Sequence, residues 1–147
     1  MDSRPIDILV VDDHPADRRL TAEIFASCET SNTVNTAADG EEALRYLRRE
    51  GEHSEASRPD LILLDLDLPG LGGDEVLTAI KGDPALSRIP VIALSTSIAD
   101  RDVLDTYANR ANACVRKPAN LQEFTELIGA VETFWLGNVA LPGRRRI

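Results

Sequence analysis

The chain has 147 residues, which is enough for one domain of ordinary size and too few for two. Its composition, 43% hydrophobic and 28% charged without a long apolar run, excludes a membrane protein, and residues 1–5 lack the apolar stretch of a secretory signal. A net charge of −9 argues against binding to nucleic acid, which needs clustered Lys and Arg, and residues 144–146, the only basic cluster, are interpreted as a solvated tail. We therefore expect a cytoplasmic protein in which Cys28 and Cys114 are reduced, buried thiols.

The first half of the chain predicts two rounds of strand and helix, followed by a loop. Residues 6–11 are β-branched and almost continuously apolar, as in a strand that is covered on both faces. Pro15 suits the first turn of a helix that runs to about Cys28. Residues 33–38 predict a weaker edge strand with a second helix after it, and the polar residues 50–59 predict a long loop.

The second half of the chain predicts three more strands, each followed by a helix, at residues 61–64, 91–94 and 113–116. The segment 61–64 is the most apolar, so we expect it at the centre of the sheet. The spacing of Ser97 and Asp100 predicts a capped start for the fourth helix. Asn120 is a typical first cap of the fifth, which should extend through Phe134.

Polar residues follow four of these strands at their carboxyl ends, where open parallel sheets bind ligands. They are Asp12, Asp13, Asp65, Asp67, Ser95, Thr96 and Lys117. Several carboxylates in one crevice raise each other's pKa unless a divalent cation compensates their charge. Hard oxygen ligands suit Mg²⁺, with Mn²⁺ as a substitute, and a lysine and a hydroxyl group opposite the metal suit a phosphoryl group. An aspartate can itself be the covalent acceptor.

Two other functions compete with this interpretation. Asp65 and Asp67 reproduce the nucleophile and general-acid pair of phosphohydrolases of the haloacid-dehalogenase type. Such enzymes carry the pair after their first strand, whereas two rounds of strand and helix precede Asp65 here. The second alternative is a folded interaction module that never takes up phosphate, and the intact set of carboxylates, hydroxyl and lysine argues against it.

The chain resembles the receiver domains of response regulators over about residues 6–134, through Asp12-Asp13, Asp65 with Pro69-Gly70, Ser95 and Lys117-Pro118. The resemblance implies a doubly wound α/β fold, the flavodoxin-like five-stranded parallel sheet with helices on both faces. It implies a receiver domain at residues 1–134 and a C-terminal extension at 135–147, without a separate effector domain. It also implies a phosphoryl-accepting signalling switch rather than an enzyme, with a sensor histidine kinase as its partner in two-component phosphorelay signalling.

Residue by residue, the resemblance makes Asp65 the phosphoacceptor and a metal ligand. Asp12 and Asp13 form the acidic pair at the metal, and Asp13 is the direct ligand. Asp67 falls where the family offers a backbone carbonyl to the metal. Its carboxylate is an additional negative charge beside the phosphoryl site, where we expect repulsion to alter phosphoryl lifetime or metal affinity.

Ser95 matches the hydroxyl residue that follows the phosphoryl group after modification, with Thr96 beside it, and Lys117 matches the lysine that contacts a phosphoryl oxygen. Cys114 stands three positions before this lysine, where the family often has an aromatic residue that turns inward as the hydroxyl moves. We therefore expect the chain to depart from the usual readout between hydroxyl and aromatic ring.

Two features outside the core resemble response regulators of phytochrome-type histidine kinases. They are the long loop at residues 50–59 and the ending at residues 131–136, with Leu141-Pro142 after it. Those regulators are single-domain and often dimeric, so the resemblance implies a phytochrome-type kinase as partner and a homodimer.

Overall fold

One parallel sheet of five strands forms the centre of the protein. The structure, a computed structural model, describes residues 4–96 and 99–142. The strand order is β2-β1-β3-β4-β5, and all four neighbouring pairs are parallel. The strands are β1 (Ile6–Val11), β2 (Asn32–Ala37), β3 (Leu61–Asp65), β4 (Val91–Ser95) and β5 (Ala113–Arg116). The predicted doubly wound parallel sheet is confirmed, with β3 in the middle.

Within the described residues four α-helices connect the strands and a fifth follows β5: α1 (Pro15–Ala26), α2 (Gly40–Leu47), α3 (Gly73–Gly82), α4 (Asp100–Ala108) and α5 (Leu121–Val131). A 3₁₀ turn at Gly51–His53 lies in the loop after α2, and a π-helical turn at Glu132–Leu136 extends α5. None of the described helices is long and apolar enough to cross a bilayer.

Alternate residues of the central strands point to opposite faces of the sheet and belong to two separate hydrophobic cores. Ile62 and Leu64 pack with the apolar faces of α2 and α3, whereas Leu61 and Leu63 pack with Phe25 of α1 and with α5. All five β3 residues are at most 1% exposed. Burying each apolar side chain among them contributes about 1.5–3 kcal/mol, so β3 and the residue at its end, Asp65, are held firmly in place.

Two predicted helix starts have different outcomes. Asn120 caps α5, because its side chain accepts a hydrogen bond from the backbone N–H of Glu123. The capped start expected at Ser97 is wrong: α4 begins at Asp100, and Ala99 occupies the N-cap without a side-chain hydrogen bond. Ser97 itself lies outside the described residues.

Both cysteines are free thiols, but they are only half-buried rather than buried as expected. Cys28 lies just beyond α1, which ends at Ala26, two residues earlier than the periodicity suggested. Of the C-terminal tail, Leu136 and Leu141 are buried in the core that contains α5. The Arg cluster at residues 144–146 lies outside the described residues.

Candidate functional site

Asp65 is fully buried at the end of the central strand, and both of its carboxylate oxygens are held. Oδ1 accepts a hydrogen bond from the backbone N–H of Asp67 at 2.8 Å, and Oδ2 accepts one from Nζ of Lys117 at 2.6 Å. Gly73 allows α3 to approach this turn, since a Cβ atom there would lie 2.6 Å from the backbone oxygen of Asp65. The carboxylate is therefore fixed in orientation and paired with a cation.

Lys117 follows β5 and reaches across the carboxyl edge of the sheet. Its backbone N–H donates to the carbonyl of Ser95 at 2.8 Å, which extends the pairing of β4 and β5 and directs the side chain inward. Burial by itself lowers the pKa of Lys117, but the hydrogen bond to Asp65 and the negative charges of Asp12, Asp65 and Asp17 outweigh it, and the pKa is raised. The ammonium group is therefore charged at neutral pH.

Asp12 is 4% exposed, and burial raises the pKa of its carboxyl group against the opposing effects of the His14 backbone N–H and of Lys117. That N–H donates to Oδ1 of Asp12 at 2.9 Å. Nζ of Lys117 lies 3.6 Å from Oδ2 of Asp12, farther than from Asp65. The hydrogen bond from His14 and the charge of Lys117 therefore only partly offset the cost of burying the ionised carboxylate of Asp12.

The metal-ligand candidates form a compact group, which we call the acid cluster: the carboxylates of Asp12, Asp13 and Asp65 with the imidazole ring of His14. One ligand atom from each lies within 4.8 Å of the others. Oδ1 of Asp13 is buried and accepts no hydrogen bond from the described residues, although Nδ1 of His14 lies 3.2 Å away in an unsuitable direction. Three carboxylates with one unpaired buried oxygen suit a hard divalent cation.

The side chain of Asp67 makes its hydrogen bonds outside the acid cluster. Its Oδ2 accepts hydrogen bonds from both the backbone N–H and the hydroxyl group of Thr96, each at 3.0 Å. Ser95, one residue earlier, is buried at the end of β4. The turn after β3 is thus joined directly to the loop after β4.

An aromatic residue does reach β5, although not from position 114. The backbone N–H of Cys114 donates to the hydroxyl oxygen of Tyr107, at 3.3 Å, and Tyr107 belongs to α4. The sequence prediction did not include this contact, because nothing in the local pattern around Cys114 points to a residue of the preceding helix.

The first turn of α1 supplies further neighbours that sequence reasoning missed. Oδ2 of Asp17 lies 3.9 Å from Nζ of Lys117, and Arg18 donates to the backbone carbonyl of Asp12 at 2.8 Å. The side chain of His14 is 59% exposed, yet its Nδ1 lies 3.2 Å from carboxylate oxygens of both Asp12 and Asp13. A signal was available, since positions 14, 17 and 18 share one face of a helix that begins beside Asp12 and Asp13.

Comparisons with known proteins agree with this geometry. The sequence profile of the response regulator receiver domain matches residues 8–129. The chain belongs to the response-regulator receiver family. The receiver is 40% identical over 135 residues to response regulator Rcp1 of Synechocystis sp., covering 92% of each chain.

Solved structures lead to the same family. The receiver superposes on the phosphorylated cyanobacterial phytochrome response regulator RcpA with a TM-score of 0.89 and 46% identity, covering 95% of this chain and 100% of RcpA. It superposes on the Mn²⁺-bound form of Rcp1 with a TM-score of 0.88 and 40% identity, covering 95% of this chain and 100% of that one. The bacteriophytochrome response regulator AtBRR is more distant, with a TM-score of 0.72 and 36% identity over 96% of this chain and 99% of AtBRR.

Proposed function

We propose that Asp65 accepts a phosphoryl group from a sensor histidine kinase of the phytochrome type, in a Mg²⁺-dependent phosphorelay. The observation that carries the proposal is the buried Asp65 carboxylate, bound to Nζ of Lys117 at 2.6 Å beside the other acids of the acid cluster. Kinship with proteins named as phytochrome response regulators supports the choice of kinase.

Each side chain has one role in the transfer. A carboxylate oxygen of Asp65 forms the new bond to phosphorus as the bond to the donor breaks. Lys117 neutralises charge on a phosphoryl oxygen, and its raised pKa keeps it protonated for that role. Phosphoryl transfer relies mainly on such positioning and charge compensation.

The carboxylates of Asp12, Asp13 and Asp65, with the backbone carbonyl of Asp67, would hold the divalent cation. A bound Mg²⁺ supplies the positive charge that lets an anionic acceptor meet an anionic donor. Mn²⁺ is a substitute with the same preference for oxygen ligands. The Mn²⁺-bound form of the relative Rcp1 supports this choice.

After transfer, the new negative charge draws Ser95 and Lys117 towards the phosphoryl group. The loop and helix that follow Ser95 then shift and change a surface for a partner or a second subunit. Thr96 lies within this moving segment, and Cys114 lies on the neighbouring strand where an aromatic residue is often found.

Intact-mass spectrometry tests the acceptor directly. The protein is incubated with acetyl phosphate and Mg²⁺, and wild type should gain the mass of one phosphoryl group, which Asp65→Asn should not. Asp67→Asn is the matched control, because it removes a neighbouring carboxylate and should still be labelled. Equal labelling of Asp65→Asn, or an unlabelled wild type, would refute the assignment.

The same preparation separates a signalling switch from an enzyme. Turnover of an unrelated phosphomonoester such as p-nitrophenyl phosphate, lost in Asp65→Asn, would favour a phosphohydrolase. We propose that the receiver releases phosphate only from its own Asp65.

The kinase is tested by phosphotransfer. A radiolabelled phytochrome-type histidine kinase should lose label to the receiver faster than an unrelated histidine kinase does. Equal rates from both kinases would contradict the phytochrome assignment. We propose that the receiver meets this kinase in the cytoplasm.

We further propose that the receiver, residues 1–134, forms a homodimer through the exposed apolar side chains around α5, with residues 135–147 as an extension of it. Phe134 is 57% exposed and packs edge-on against Trp135, next to an apolar pocket between β5 and α5. Light scattering should report a dimer for wild type and Phe134→Tyr, and a monomer for Phe134→Ser. A point substitution is preferable to truncation, since Leu136 and Leu141 are part of the core. A dimeric Phe134→Ser would refute the surface.

A further inference from the structure

Two loops at the carboxyl edge of the sheet are joined by one carboxylate oxygen. Oδ2 of Asp67, in the turn after β3, accepts hydrogen bonds from the backbone N–H and from the hydroxyl group of Thr96, both at 3.0 Å. We call this pair of hydrogen bonds the 67–96 clasp. Hydrogen bonds to an ionised acceptor are roughly twice as strong as neutral ones, so the clasp can fix the position of Thr96, the first residue after β4.

Both ends of the clasp lie next to the residues that respond to phosphorylation. The backbone N–H of Asp67 donates to Oδ1 of Asp65 at 2.8 Å, and Thr96 directly follows Ser95 at the end of β4. Any change at the Asp65 carboxylate therefore reaches Asp67 through a single hydrogen bond. Any movement of Thr96 also moves its neighbour Ser95.

A phosphoryl group on Asp65 acts against the clasp electrostatically. It carries a charge of about −1.5 to −2 at neutral pH, whereas Oδ2 of Asp67 is the negative end of both hydrogen bonds. The Lys117 ammonium group is bound to Asp65 and does not contact Asp67 among the ion pairs of the described residues. The phosphoryl group consequently repels the carboxylate of Asp67. When this side chain moves away, the backbone N–H and the hydroxyl group of Thr96 lose their acceptor.

We propose that the 67–96 clasp holds Thr96 in the unphosphorylated position and opens when Asp65 is phosphorylated. This rests on the proposed function and adds to it a positioning role for the Asp67 side chain, which acts on Ser95 through Thr96. Cys114 has no aromatic ring that could move together with Ser95. The clasp instead couples Asp65 to Thr96 through the turn after β3.

The proposal predicts the rate of phosphorylation. A contact made only in the unphosphorylated state opposes the change, so removing it increases the population that is ready to react. Loss of a hydrogen bond of ordinary net strength corresponds to about a fivefold shift in such an equilibrium. We therefore expect Thr96→Val, which removes the hydroxyl donor, and Asp67→Ala, which removes the acceptor, to be phosphorylated several-fold faster than wild type.

The experiment measures the initial rate of labelling by acetyl phosphate at saturating Mg²⁺, by intact mass. A carboxylate oxygen of Asp65 forms a bond to phosphorus, the bond from phosphorus to the acetyl oxygen breaks, and acetate leaves. The variants are Thr96→Val, Asp67→Ala, the double variant and Asp67→Asn. Thr125→Val is the matched control, since its hydroxyl group bonds only within α5 to the carbonyl of Leu121.

The variants distinguish the clasp from a simple effect of charge. With the clasp, Thr96→Val is accelerated although every charge remains, and the double variant is no faster than Asp67→Ala because both lose the same contact. Asp67→Asn keeps an acceptor for both donors, although a neutral and weaker one, and should be accelerated less than Asp67→Ala. If charge alone mattered, Asp67→Asn would match Asp67→Ala and Thr96→Val would behave as wild type, and that result would overturn the proposal.

Hydrogen exchange supplies a second readout that a merely structural role would not move. The amide of Thr96 should be protected in unphosphorylated wild type and should exchange faster in unphosphorylated Asp67→Ala, whereas Asp67→Asn should keep part of the protection. Equal protection in wild type and Asp67→Ala would also overturn the clasp. Failure of the underlying function looks different, because wild type would then gain no phosphoryl mass at all.

Discussion

Gly73→Ala should destabilise the protein strongly, because the first residue of α3 touches the backbone of the turn that follows Asp65. A Cβ atom at this position would lie 2.4 Å from Cα of Leu66 and 2.6 Å from the backbone oxygen of Asp65, about 1 Å inside ordinary contact at 3.4 Å. Backbone atoms cannot rotate away, so either α3 or the turn must shift. Overpacking usually costs about 1–3 kcal/mol, and we expect about 3 kcal/mol here.

For a domain of this size, 1 kcal/mol lowers Tm by about 2–4 °C, so calorimetry should show a decrease of about 6–12 °C for Gly73→Ala. Labelling by acetyl phosphate should also slow by about tenfold or more, since a displacement of about 1 Å at a reacting group can cost as much as 100-fold. Gly82→Ala, at the other end of α3, is the matched control: its Cβ atom would meet nothing within 4 Å. A Gly73→Ala protein as stable as Gly82→Ala would refute this account of the packing.

Three further variants test the electrostatics. Lys117→Met leaves buried carboxylates without their ammonium partner and should cost about 3–5 kcal/mol in EDTA at pH 7, less when Mg²⁺ is added; an unchanged Tm in EDTA would contradict this. Asp12→Asn should raise Tm in EDTA, because the raised pKa of this carboxyl means that its ionised form is disfavoured in the fold. The gain should be largest at pH 7 and vanish as the pH falls below the ordinary aspartate range, where wild type is protonated in both the folded and unfolded states. Burial, and after it the negative charge of Glu132, raises the pKa of the Cys28 thiol. Glu132→Gln should therefore increase the thiolate fraction of Cys28, and a thiol reagent should react with Cys28 several-fold faster at pH 8. The measurement uses a Cys114→Ser background, so that only Cys28 reacts.

The sheet and the convergence of the acids were predictable because both follow from periodicity. Residues 61–64 are apolar at every position, which is typical of a strand covered on both faces, and the structure places them at the centre of the sheet. Parallel strands all end at the same edge, so Asp12, Asp65 and Lys117 had to meet there once their strands were recognised.

The side-chain contacts made by loops were not predictable in this way. Asp67 was expected to contribute a backbone carbonyl and an additional negative charge, but the direction of its side chain depends on the turn after β3 and on where Thr96 lies in space. The predicted start of α4 was wrong for a related reason. Ser97 and Asp100 have a spacing that suits a capping box, yet Ala99 occupies the N-cap position of α4.

The charges of the site impose an order on its chemistry. The carboxylates of Asp12, Asp13 and Asp65 face one ammonium group, that of Lys117, so these groups carry two net negative charges before any ligand binds. A phosphoryl group adds about −1.5 to −2 more, which in a buried site requires a compensating cation of similar charge. Phosphorylation of Asp65 and binding of a divalent cation must therefore be coupled, and the coupling is reciprocal at equilibrium. The phosphorylated protein should bind Mn²⁺ more tightly than the unphosphorylated protein, and equal affinities measured for the two forms would refute this reading of the charges.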